Sequence, residues 1–135
     1  MSGDRATYLD SSALVKLIVA EPETVALRAY LRGRQRLVSS ALARIEVARA
    51  GAGGGSAMLA KAHELFRQVA VLRIGDGVLN TAGSLPPATL RSLDAIHLAT
   101  ASLLHSSLGA VVTYDARMAD AALVLGMDVR SPGRP

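Results

Sequence analysis

Short apolar runs separated by helix-length segments restrict the fold more than any other feature of this sequence. The runs are Thr7–Asp10, Arg36–Ser39, Val69–Ile74, Ala110–Thr113 and Met127–Arg130. Strands that far apart cannot be joined by tight hairpins; they pair side by side through crossover helices. The pattern therefore predicts an α/β fold: a short, mainly parallel central sheet of about four to five strands, flanked by helices.

Local punctuation supports that division. Ser11 or Ser12 can cap a helix over 13–19, and Ser39 or Ser40 a helix over 41–50. Pro22 stands where a second helix begins and Gly33 where it ends, the expected asymmetry. Further helices are expected over 57–68 and 77–84, over 93–105 with Ser92 as cap, and over 116–125 with Gly126 as stop. A chain of 135 residues is read as one domain, 1–135, with a flexible tail at 1–5 and a glycine-rich loop at 51–56. That loop, Gly51-Ala52-Gly53-Gly54-Gly55-Ser56, follows a helix instead of a strand and ends in Ser56, the wrong context for a dinucleotide loop.

Composition narrows the setting. Half the residues are hydrophobic but only 3% are aromatic, so the core must be built from Ala, Leu, Val and Ile. Cysteine is absent, which excludes disulfides and thiolate metal sites and suits a reducing cytoplasm. No signal-peptide pattern follows Asp4 and Arg5, and the early apolar stretch from Ala13 to Ala20 is interrupted by Lys16 and too short to span a bilayer. A soluble, cytoplasmic protein with no membrane partner is expected. The net charge is +4, and all but two of the fifteen basic residues are arginine. Arginine suits bidentate contact with phosphate, although genomic composition bias explains the same count.

Most of the eleven acidic residues have ordinary settings; Glu21, Glu23, Glu64 and Asp128 read as solvated. Four do not. Asp10 and Asp115 each close an apolar strand, where ligands bind in open α/β sheets; either could also be a simple helix N-cap. Glu46 lies mid-helix on a stripe with Leu42 and Ala50, a place for a paired, protonated or cation-bound carboxylate, or for a Glu paired with Arg49. Asp94 sits in a first helical turn, where the helix dipole favours an anion, among leucines and alanines that make its setting look largely buried. Four carboxylates aimed at one sheet edge oppose each other's ionisation. A divalent cation reverses that, and oxygen-only ligands select a hard ion such as Mg2+ or Mn2+. With no Ser/His or Cys/His nucleophile set, metal-assisted phosphodiester hydrolysis is the chemistry that fits. His63, His97 and His105 fall on predicted helices without ligand-like spacing and read as structural or surface residues.

Four segments together resemble a known family. Tyr8-Leu9-Asp10-Ser11-Ser12-Ala13 resembles the opening motif of PIN domains, and Ser39-Ser40-Ala41-Leu42-Ala43-Arg44-Ile45-Glu46-Val47 their second. Leu90-Arg91-Ser92-Leu93-Asp94-Ala95-Ile96-His97-Leu98-Ala99-Thr100-Ala101, the most distinctive of the four, resembles the third, and Val112-Thr113-Tyr114-Asp115 the fourth. Order, spacing and length most resemble VapC-type toxins of bacterial toxin–antitoxin pairs, across nearly the whole chain. The resemblance implies a single PIN-like domain and a Mg2+-dependent endoribonuclease, with Mn2+ able to substitute, that is held inactive by a cognate VapB-like antitoxin. By position it implies catalytic roles for Asp10, Glu46, Asp94 and Asp115. Asp10, Asp94 and Asp115 would hold metal, and Ser12 and Thr113 would orient them. It also implies a homodimer and an antitoxin groove between early helices, where Leu14, Leu17, Ile18, Leu27 and Leu31 could lie; core packing explains those five equally well.

Two other uses of a PIN-like chain remain open: an RNA-processing nuclease that is not a toxin, and a catalytically inactive module that binds RNA or protein. A response-regulator receiver would need adjacent acids after its first strand and a late lysine, whereas the last lysine here is Lys61.

Overall fold

The computed structural model describes residues 5–34 and 36–135. Most of the expected 1–5 tail lies outside the described residues. Five strands, β1 (Ala6–Leu9), β2 (Leu37–Ser40), β3 (Ala70–Leu72), β4 (Leu108–Val112) and β5 (Val129–Arg130), form one sheet in the order β3-β2-β1-β4-β5. Every pairing is parallel. Among the described residues seven α-helices connect or flank them: α1 (Ser11–Val15), α2 (Thr24–Leu31), α3 (Leu42–Ala50), α4 (Gly55–Gln68), α5 (Asp76–Ser84), α6 (Ser92–Ser102) and α7 (Ala116–Val124).

Central β1 is buried along its whole length, as a parallel strand covered on both faces must be. The two-residue period of the pleat sorts its side chains. Leu9 joins Leu14, Leu27, Val47 and Val112 in a core under α1–α4; Tyr8 joins Val38, Leu98, Val111 and Met118 under α6 and α7. Where β1 meets β4 the register shifts between Ala6 and Thr7, and Gly109 lies opposite. A Cβ at Gly109 would stand 3.1 Å from the Ala6 carbonyl oxygen, so the close approach favours glycine.

Several boundaries differ from the sequence expectation. Asp10, not Ser11 or Ser12, caps α1, because its carboxylate accepts from the Ala13 N–H at 3.0 Å. The glycine stretch is not an open loop: Ala52–Gly54 form a 3-10 turn and α4 already starts at Gly55. Ser92 is the first residue of α6 and makes no cap bond; Arg91 holds the cap position. Helix α6 ends at Ser102, and His105 opens a 3-10 turn instead of continuing the helix. Leu14, Ile18 and Leu27 are core residues and cannot line a surface groove. Leu17 and Leu31 do border one, between α2 and α4, with Arg28, Arg32, Arg34 and Lys61.

The order of the strands fixes where a site can form. The chain builds from β1 outward through β2 to β3, then returns to place β4 on the other side of β1. That reversal opens a crevice beyond the carboxyl ends of β1 and β4.

Candidate active site

Asp10 follows β1 and Asp115 follows β4, so the reversal of strand order brings both to the same crevice. Each also caps the helix that follows. Asp115 Oδ1 accepts from the Arg117 and Met118 N–H groups at 2.9 and 3.2 Å. Capping and membership of the crevice are therefore not alternatives, since a carboxylate has more than one acceptor position to give.

Asp10 is 3% exposed, and burial raises its pKa despite the donors around it. Ser12 donates to Oδ1 and Thr113 to Oδ2, both at 2.6 Å. The same two hydroxyls accept from the neighbouring turn: Ser12 from the Tyr114 N–H at 2.9 Å and Thr113 from the Asp115 N–H at 3.1 Å. One small network thus locks the end of β1 to the end of β4.

Glu46 enters from α3 and Asp94 from the first turn of α6. Asp94 is half-buried, less enclosed than its leucine neighbours imply, because Leu93 turns outward and is 50% exposed. Burial raises the Asp94 pKa, and the charges of Asp115, Asp10 and Glu46 raise it further, with His97 opposing. The other three acids are thus close enough to oppose Asp94's ionisation. Glu46 does not pair with Arg49; its Oε1 accepts from His97 Nε2 at 2.7 Å.

The sequence reading missed His97. It is 1% exposed, held between Glu46 and the Tyr8 hydroxyl, which lies 2.7 Å from Nδ1. Its position three residues after Asp94 on one helix was the available signal, but neither partner is near it in the chain. The reading also misjudged Glu23 as solvated. Glu23 pairs with Lys16 at 2.9 Å and Arg134 at 3.1 Å, and these cations hold its pKa at about 2. Lys16, Arg134, Ser12, Glu46 and Tyr114 line a cleft of about 360 Å³ beside the acids.

Among the described residues, no group of three or more acidic or imidazole side chains is set to hold a metal ion as it stands. Donor chemistry and charge nevertheless fit one. The acids offer oxygens only, and mutual repulsion at Asp94 is the imbalance that a hard divalent cation relieves. Asp10, Asp94 and Asp115 could hold such an ion, with Glu46 at its edge. The arrangement suits hydrolysis of a phosphodiester. Acyl transfer by a side-chain nucleophile is not supported, since Ser12 is committed to Asp10 and Tyr114.

The PIN domain family model matches residues 7–123. Ribonuclease VapC46 of Mycobacterium tuberculosis is 54% identical over 127 residues, covering 94% of this chain and 98% of that protein. Ribonuclease VapC47 of the same species is 39% identical over 131 residues, covering 93% and 96%. Among solved structures, a toxin–antitoxin complex from Klebsiella pneumoniae superposes with a TM-score of 0.71 at 23% identity, covering 93% of this chain and 97% of that one. M. tuberculosis VapC20, described as a sarcin–ricin loop cleaving toxin, superposes with a TM-score of 0.68 at 13% identity, covering 85% and 94%. At those identities the two structures speak for the fold alone.

Proposed function

Because this chain belongs to the PIN-domain family, we propose that it is a divalent-metal-dependent endoribonuclease, the toxin of a VapBC-type toxin–antitoxin pair. The observation that carries this reading is the convergence of four carboxylates at the reversal of strand order, where burial and then the charges of the other three raise the pKa of Asp94. The relatives named ribonucleases, matched over nearly their full length, supply the substrate class. RNA is the substrate and a VapB-like antitoxin the controlling partner. No helix among the described residues is long and apolar enough to cross a membrane.

In this reading Asp10, Asp94 and Asp115 would hold Mg2+, or Mn2+ in its place. Such an ion would supply Lewis acidity at the phosphodiester and lower the pKa of water. Ser12 and Thr113 keep both Asp10 oxygens oriented through their hydrogen bonds. Glu46, held through Oε1 by His97, directs its second oxygen to an attacking water and takes its proton. The water oxygen would form the new bond to phosphorus as one ribose oxygen leaves and takes up a proton.

Cleavage of a broad RNA panel by antitoxin-free protein tests the reading, in Mg2+ or Mn2+ and in chelator, beside Asp94→Asn. Cutting that needs metal and is lost in the variant is expected. Equal trace cutting by both proteins, or intact RNA with folded, metal-supplied wild type, sinks the proposal.

A further inference from the structure

The second nitrogen of His97 has a partner as fully buried as the ring itself. Tyr8, in β1, is 0% exposed and places its hydroxyl 2.7 Å from Nδ1, with the two rings edge to face at a centroid separation of 5.9 Å. On the other side Nε2 meets Glu46 Oε1 at 2.7 Å, where the Glu46 side chain is 23% exposed at the rim of the cleft. A carboxylate only accepts, so Nε2 carries the proton and donates to Glu46, whichever role Nδ1 takes toward Tyr8.

Packing alone does not call for this arrangement. His97 lies beside Leu98 and Ala101 in a helix whose other buried residues are apolar except Thr100, and the Thr100 hydroxyl is satisfied within the helix by the Ile96 carbonyl. An imidazole there must find partners on both nitrogens or be destabilising. It finds them on two other elements: β1, which runs into Asp10, and α3, which carries Glu46. The helix that bears His97 also bears Asp94. We infer that His97 is a positioning residue, braced by Tyr8, that fixes the rotamer of Glu46 and so sets the distance between the Glu46 carboxylate and the other three acids. Without it, a Glu with three rotatable bonds at the mouth of a cleft is free to swing into solvent. Groups that orient metal-site carboxylates by hydrogen bonding act in this way in general.

This inference rests on the nuclease reading, and the test separates the two. Wild type, Asp94→Asn, His97→Leu, His97→Gln and Tyr8→Phe are compared for RNA cleavage, for Mn2+ binding to RNA-free protein by paramagnetic resonance, and for thermal unfolding. His97→Leu keeps the volume and removes the donor; a drop of about 10–100-fold in kcat or in Mn2+ affinity is expected, with KM for RNA little changed. His97→Gln can still donate near the Nε2 position and recovers most of the loss. Tyr8→Phe, which keeps the ring and removes only the brace, gives a smaller loss in the same direction. Wild-type kcat and Mn2+ affinity in His97→Leu overturn the inference alone. So does equal impairment of His97→Leu and His97→Gln with matching losses of Tm, because the role is then structural. Wild type that cuts no RNA brings down the nuclease reading, and the inference with it.

Discussion

Burial and the charges of Asp115, Asp10 and Glu46 all disfavour the ionised form of Asp94, while its place in the first turn of α6 favours it. The net pKa is raised, so desolvation and repulsion outweigh the opposing influence of His97. A raised carboxylate pKa means the folded state holds its proton more tightly than the unfolded state does. Stability therefore falls as pH rises from the unfolded value, and the deficit is complete above the folded one. Asp94→Asn should abolish cleavage yet raise the metal-free Tm at neutral pH. The gain should shrink as pH is lowered toward the ordinary Asp range; calorimetry at several pH values in chelator checks both parts, and a lower Tm for the variant at pH 7 contradicts them. Asp10, Asp94 and Asp115 were legible as candidates because each stands at the end of a strand or the start of a helix in the sequence. His97 was not, because its meaning depends on Tyr8 and Glu46, which are 89 and 51 positions away.

Around α1 and α2 the decisive interactions are ionic. Lys16 is 6% exposed, pairs with Glu23 and Glu21, and stands 4.7 Å from the centre of the Tyr114 ring. Arg134 reaches from the C-terminal segment to Glu23, and to the Tyr114 carbonyl at 2.7 Å. Glu23 thus joins the start of α2 to the turn that carries Thr113 and Asp115. Its pKa, lowered to about 2 by these cations, adds stability that is fully present above the unfolded value of 4.5 and is lost as pH falls toward 2. Glu23→Gln should therefore unfold at lower urea concentration than wild type at pH 7, and the gap should close between about pH 4.5 and pH 2. A gap of constant size across that range refutes the assignment. The elements themselves were largely readable: five apolar runs became five parallel strands, because apolar length and crossover spacing are local properties. Boundaries were less so. A glycine stretch reads as a break, yet packing of Met58 close to Gly51 and Gly54 lets the helix begin at Gly55. Ser92 reads as a cap, but nothing in the sequence says that its hydroxyl makes no cap bond.

Across the whole molecule, the four acids belong to the end of β1, the end of β4, α3 and α6, so they sample both halves of the sheet and both helical layers. An ion held among them would bind the folded chain and have no comparable site in the unfolded one. Such binding stabilises by mass action, about 2.7 kcal/mol at a hundredfold excess over Kd. For a chain this long that is a rise in Tm of roughly 10 °C. The prediction is that Mn2+ raises the Tm of wild type over that in chelator, that Mg2+ does so at higher concentration, and that Asp94→Asn loses most of the rise. The two effects of Asp94→Asn are opposite in sign, a gain in chelator and a loss in metal, which a general change in packing could not produce. If Mn2+ moves both proteins equally, the ion binds elsewhere on the surface. The Asp94 repulsion then serves another end, and the metal assignment of Asp10, Asp94 and Asp115 must be withdrawn.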